Sequence, residues 1–135
     1  MNLEEKKNYV RSFYKSWETI PFARLSQRYR EYLSDDVVFQ IPGEPPFIGL
    51  ERAVAFMDSF ALQVPDLVSV RIDIKTIAAD GDLVFNERVD YHCDAQGTPH
   101  LVLEICSAMD VKGGKITRWR EYLDPAPFHA AIAKK

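Results

Sequence analysis

The chain has 135 residues, 47% of them hydrophobic and 27% charged, with a formal net charge of −3. A chain of this size holds one buried core and is short for two, so residues 1–135 read as a single domain. The slight negative charge offers no field for a phosphate backbone, which sets nucleic acid aside, and no apolar run reaches the roughly 18 residues of a membrane helix.

The opening Asn2-Leu3-Glu4-Glu5-Lys6-Lys7 lacks the basic and then apolar stretches of a secretory signal, and a cytoplasmic address is expected. Leu3, Val10, Phe13, Tyr14 and Trp17 recur at helical spacing, and Phe22, Leu25 and Tyr29 form the stripe of a second helix over Phe22 to Tyr32. Val37 to Ile41 is a short apolar strand, ended by Pro42-Gly43-Glu44-Pro45-Pro46. A third helix runs from Leu50 to Ala61, with Ala53, Phe56, Met57 and Phe60 facing inward. After Pro65 the period changes to two, as Val68, Val70, Ile72 and Ile74 alternate with Ser69, Arg71, Asp73 and Lys75. Turn signals at Asp80-Gly81, Gln96-Gly97 and Gly113-Gly114 separate strands over Asp82 to Cys93, His100 to Val111 and Lys115 to Leu123. Pro125 and Pro127 precede a short last helix.

Helices first and a meander of strands after them predict an α+β fold: a cone-shaped, curved antiparallel sheet covered by three N-terminal helices, with a central pocket for a small ligand. Cys93 and Cys106 fall on separate strands and read as buried thiols. His100 and His129 lack metal-ligand spacing, and Gly113-Gly114 is a turn with no helix after it to cradle a phosphate.

The stretch Phe85-Asn86-Glu87-Arg88-Val89-Asp90 sets Asn86, Arg88 and Asp90 on one face of a strand, with His92 next on that face. Two hairpin registers are open. A two-residue loop sets Asp73 opposite Arg88 and Arg71 opposite Asp90, as surface ion pairs. A three-residue loop Ala79-Asp80-Gly81 with a bulge turns Arg88 and Asp90 to the side of Val68, Val70 and Ile72, the core. The apolar set Leu83, Phe85, Val89 and Tyr91 favours the first. Glu121 favours the second, because it alternates with Trp119 on the inward set of its strand, where a lone carboxylate is costly unless a cation meets it. Arg88 between Asp90 and Glu121 satisfies all three charges and separates the two acid pKa values.

"FNERVD", followed by Glu121 in "GKITRWREYLD", and "PPFIGLERAV" before the third helix resemble limonene epoxide hydrolase, within the ketosteroid-isomerase-like and SnoaL-like superfamily. The resemblance implies a triad of Arg88, Asp90 and Glu121. Asp90 would be the general base on water, Glu121 the general acid on the epoxide oxygen, and Arg88 the residue that orients both. It implies no covalent ester, no cofactor and no metal, and pairing into a homodimer through the outer sheet face. The chain departs from that pattern in carrying Glu121 for an aspartate, and Phe39 and Ile41 where the family holds water with tyrosine and asparagine. Asn86 is the candidate to hold water instead, and His92 a candidate to tune or relay the proton of Asp90.

Trp17, Phe39, Phe56, Phe60 and Trp119 are expected as apolar walls, with Phe13 beside them, and Tyr14 as a secondary oxyanion ligand by likeness to the ketosteroid isomerases. The expected activity is hydrolysis of a small apolar epoxide. A SnoaL-like cyclase or isomerase with Asp90 as proton-transfer base, and a non-catalytic small-ligand-binding domain, are the rival readings.

Overall fold

The computed structural model describes residues 1–133, so the last two positions of the expected domain lie outside the described residues. The first helix, α1, spans Leu3–Ser16. Asn2 caps it reciprocally: its side chain accepts from the Glu5 amide at 2.8 Å, and its own amide donates to the Glu5 carboxylate at 2.9 Å. Val10, Phe13 and Tyr14 are buried, and Trp17, expected in the same helix, begins a tighter turn over Trp17–Thr19. The expected second helix is also broken, into a single turn at Phe22–Arg24 and α2 at Ser26–Tyr32. Pro21 stands before it, and the Phe22 amide is drawn off to the Val68 carbonyl at 2.9 Å.

Strand β1 spans Leu33–Gln40, starting earlier than the apolar run predicts because Ser34, Asp35 and Asp36 lead into it. A two-residue strand, β2 at Phe47–Ile48, pairs with β1 from inside the proline-rich stretch expected to be irregular. Gly49 follows at a φ of 97°, open to glycine at little cost, and its amide donates to the Val37 carbonyl at 2.8 Å. Helix α3 (Leu50–Gln63) then leads to β3 (Ser69–Asp80), β4 (Leu83–Cys93), β5 (Pro99–Lys112), β6 (Lys115–Tyr122) and α4 (Ala126–Ala133).

The strands form one curved, unclosed sheet in the order β2-β1-β6-β5-β4-β3. Its neighbours are antiparallel except β1 and β6, which run parallel and make the sheet mixed. The α+β cone is therefore the fold, with α1, α2 and α3 contributing to one continuous apolar cluster with the inward face of the sheet. Among the described residues no helix is long and apolar enough to cross a membrane. Cys93 is buried, whereas Cys106 is exposed, against the expectation of two buried thiols.

Neither expected hairpin register is the one found. The β3–β4 turn is the two-residue pair Gly81-Asp82, closed by Asp80 opposite Leu83. Gly81 has a φ of 60° and Asp82 no positive φ, the pattern of a type II′ turn with glycine first. Farther along, Ile74 lies opposite Arg88 but Thr76 opposite Glu87, so a bulge at Lys75 shifts the ladder by one. Past the bulge Val70, Ile72 and Ile74 face His92, Asp90 and Arg88. Val84, Asn86, Arg88, Asp90 and His92 are all buried, and Phe85 on the opposite face is 43% exposed. The surface pairs of the first register do not form: Asp73 holds Lys75 at 2.7 Å, and Arg71 lies 4.3 Å over the Tyr91 ring.

Candidate active site

Sheet register assembles the site. Asn86, Ser107 and Glu121 stand in one row across β4, β5 and β6, with Arg88 and Asp90 in the next rows of β4. The row depends on a second bulge, at Thr117: Val111 pairs with Ile116, but Asp110 pairs with Arg118. Were Thr117 a regular ladder residue, alternation from Ile116 would turn Trp119 and Glu121 to the outer face and the arginines of β6 inward.

The Arg88 guanidinium lies between the two acids. Its Nε and Nη2 donate to Asp90 at 2.9 and 3.2 Å, and Nη2 and Nη1 donate to Glu121 at 2.7 and 3.1 Å. Nη1 also donates to the Ser107 hydroxyl at 2.6 Å and the Tyr14 hydroxyl at 3.0 Å, and approaches Asn86 Oδ1 at 3.4 Å. The Tyr14 hydroxyl donates to Ser107 at 3.2 Å, and Ser107 is hydrogen-bonded to Glu121. The Tyr14 ring stacks 4.1 Å beneath the guanidinium. Every N–H of Arg88 is thus engaged, as a buried cation requires.

Arg88 is 1% exposed, Asp90 3% and Glu121 8%. Burial works against the guanidinium charge, but Asp90 and Glu121 outweigh it and hold the Arg88 pKa well above its ordinary value. Burial pushes Asp90 up to about 6, against the pull of Arg88 and with a further push from Glu121. Burial also raises the Tyr14 phenol above its usual range, so it remains a neutral donor.

The trio forms the polar part of a cavity of about 90 Å³, room for several water molecules at about 10–15 Å³ each or for part of a small organic molecule. Of the expected wall, Trp17, Phe39, Ile41, Phe56, Phe60 and His92 line it. Asn86, Tyr14 and Trp119 do not. Asn86 and Tyr14 stand behind the guanidinium, where Asn86 faces Arg88 and Met109. That position corrects its expected contact with water or substrate. Trp119 is fully buried against Phe39, with ring centroids 4.6 Å apart.

Sequence reasoning missed Ser107, Phe128 and the wall position of Tyr29. Ser107 was legible as inward from its alternation with Leu101, Leu103 and Ile105 on β5, but its place beside Glu121 depends on the register at Thr117. Phe128 of α4 closes over Phe60, with centroids 4.6 Å apart, and lines the cavity with Pro125, His129 and Glu44. Tyr29 was read as a core stripe residue; it also lines the cavity, and its hydroxyl has no hydrogen-bond partner among the described residues. His92 sits edge-on to Phe22 and Phe60, with centroids 5.0 and 5.9 Å away. Burial first, and then Arg88, lower its pKa to about 4. Among the described residues no group of three or more His, Cys, Asp or Glu side chains is arranged to hold a metal ion.

The family model for the limonene-1,2-epoxide hydrolase catalytic domain matches residues 4–134. An epoxide hydrolase from M. tuberculosis, described as like limonene epoxide hydrolase, is 22% identical with a TM-score of 0.71, over 97% of this chain and 86% of that one. A protein assigned as a SnoaL-like polyketide cyclase from Jannaschia sp. CCS1 is 16% identical with a TM-score of 0.73, over 98% and 94%. A nuclear-transport-factor-two-like protein of unknown function from Cytophaga hutchinsonii is 16% identical with a TM-score of 0.66, over 92% and 94%. At these identities the solved structures speak for the fold. No curated protein matches the chain at a significant level.

Proposed function

The chain belongs to the limonene-1,2-epoxide hydrolase catalytic-domain family, and on that premise we propose that residues 1–135 act as one domain that opens a small apolar epoxide with water. The observation that carries the reading is one guanidinium hydrogen-bonded to two carboxylates on the wall of an apolar cavity. Asp90 is the base, because its hydrogen bonds come only from N–H donors of Arg88, which suit the ionised form. Glu121 is the acid. Its neighbour Ser107, whose hydroxyl already accepts from Arg88 and Tyr14, donates to the carboxylate that remains once Glu121 has given up its proton.

In the reaction water attacks one oxirane carbon and that carbon–oxygen bond breaks. Asp90 takes a proton from the water and Glu121 gives one to the departing oxygen. The product is a vicinal diol. A proton then passes from Asp90 back to Glu121 through solvent, and no covalent ester or metal takes part.

The test is to incubate the protein with terpene and aryl epoxides in isotopically labelled water. One labelled oxygen per diol, above the uncatalysed background, is expected; no enzymatic diol from any of them overturns the reading. Asp90 must be ionised to act, and its pKa is held at about 6. Activity is therefore expected on the alkaline side. Below pH 6, kcat/KM should fall by roughly tenfold per unit, and a profile flat from pH 7 to 4.5 would exclude Asp90 as the base.

A SnoaL-like cyclisation or isomerisation is the second reading. The dry wall made by Phe39 and Ile41 favours it, and a rearranged product without solvent oxygen would identify it. The exposed Phe85, Val102 and Tyr122 on the outer sheet face support a homodimer through that face, and a cytoplasmic setting fits the same proposal.

A further inference from the structure

We propose that Ser107 is a positioning residue: its hydroxyl occupies Oε2 of Glu121 and leaves Oε1 as the oxygen through which that side chain exchanges a proton with the occupant of the cavity. The kinetic consequence rests on the epoxide-opening reading; the hydrogen-bond chain itself does not.

A carboxylate has two oxygens with two lone pairs each, so the donors already in place decide which oxygen is free to trade a proton. Oε1 of Glu121 accepts one hydrogen bond, from Arg88 Nη2 at 2.7 Å. Oε2 accepts from Arg88 Nη1 at 3.1 Å and from the Ser107 hydroxyl. Those contacts fill Oε2. One lone pair of Oε1 stays open, on a residue that lines the cavity.

Arg88 does not make that assignment by itself. Its Nη1 carries two hydrogens and meets oxygens of Ser107, Tyr14, Glu121 and Asn86 at 2.6, 3.0, 3.1 and 3.4 Å. Ser107 and Tyr14 are the nearer acceptors, so Oε2 receives only a share of Nη1. Ser107 is its main partner. The two residues stand opposite each other in the β5–β6 ladder, which lets a side chain as short as serine reach the carboxylate.

The direction of the Ser107 bond is fixed from behind. Its Oγ accepts from Arg88 Nη1 at 2.6 Å and from the Tyr14 hydroxyl at 3.2 Å. Both lone pairs are then used, and the single hydrogen of Ser107 is left for Glu121. Burial keeps the Tyr14 phenol protonated, and the other acceptor it meets among the described residues, Met109 Sδ at 3.5 Å, is a weak one. Donation therefore runs from Tyr14 to Ser107 to Glu121. With alanine at 107, Oε2 would keep only the shared Nη1 contact, and the carboxylate could turn either oxygen to the cavity.

A neutron structure of the deuterium-exchanged wild type tests the chain directly. A deuteron on Ser107 Oγ directed at Glu121 Oε2, with none carried by Oε2, is expected. A deuteron on Oε2 directed at Ser107 overturns the proposal, because Glu121 would then exchange through the oxygen assigned as closed.

Kinetics test the consequence. Ser107→Ala should lose on the order of 10- to 100-fold in kcat for diol formation with KM for the epoxide unchanged. The same change made in a Glu121→Gln protein should cost nothing further, since Ser107 acts through the proton of Glu121. A folded Ser107→Ala with the wild-type kcat overturns the proposal, and so does an equal loss in both backgrounds. The neutron map decides the matter even if Ser107→Ala does not fold. In a protein that makes no diol, the expected map would leave the chain standing and remove only the epoxide reading.

Discussion

Asp90→Asn is expected to lower kcat for diol formation by roughly 100- to 10,000-fold, the usual contribution of a positioned acid or base, while KM for the epoxide and the melting temperature change little. The amide keeps the outline of the carboxylate, and its oxygen still accepts from Arg88 Nε, which reaches Asp90 at 2.9 Å. What is lost is the capacity to take a proton, together with the contact from Nη2 to the second oxygen. Stability should survive because burial already disfavours the Asp90 charge, as its raised pKa records. Steady-state kinetics beside a thermal melt check the prediction. Turnover within a factor of about three of wild type would assign the base elsewhere.

The α+β class, three of the helices and four of the strands were legible from periodicity because each buries one stripe or one face. The working face of β4 was not. On that strand the apolar set Leu83, Phe85, Val89 and Tyr91 looks outward, while the polar set Asn86, Arg88, Asp90 and His92 is buried, the reverse of what hydrophobic alternation predicts. Local pattern fails there because the buried set meets its own partners in the cavity, and the outward set provides the apolar surface proposed for a dimer.

Glu121 gave the better clue, as a lone acid alternating with a tryptophan. It pointed to the correct face through a register that was itself wrong. Lys75 and Thr117, one bulged residue on each flank of the site, set the parity of the inward residues, and neither carries a sequence signal beyond its strand. A bulge inserts a residue without altering composition, so the contacts of Ser107 with Arg88 and Glu121 could not be found by counting from the turns. Asn86 shows the opposite failure: its face was read correctly, but its depth was not, and it lies behind Arg88.

Arg88→Leu is expected to cost roughly 3–5 kcal/mol at neutral pH, the scale for breaking a buried ion pair from one side, and to abolish turnover. Two carboxylates would be left without their cation, and Tyr14 and Ser107 without the donor they share. The loss should shrink on acidification. The Asp90 pKa, about 6 when folded against an ordinary 3.8, means that its favourable contribution is complete below about 3.8 and is lost as pH rises through 6. Without Arg88, the main influence holding that pKa down, the loss extends to higher pH, so the variant gains more than wild type between pH 7 and 5. His92 acts the other way in both proteins: with a folded pKa of about 4 against 6.5, it favours folding above 6.5 and loses that contribution as pH falls through 4.

Urea unfolding at pH 7 and 5 measures the difference between wild type and variant, and a gap that does not narrow at pH 5 would contradict the account. The triple variant Arg88→Leu, Asp90→Leu and Glu121→Leu separates chemistry from architecture. Apolar replacement of a whole buried charge cluster is often neutral or stabilising by about 1–4 kcal/mol, so this variant should recover the stability lost by Arg88→Leu and remain inactive. A triple variant that unfolds would identify the trio as a structural ion network. A stable, inactive one means that three charges are kept in an oily cavity for the reaction and at a cost to folding.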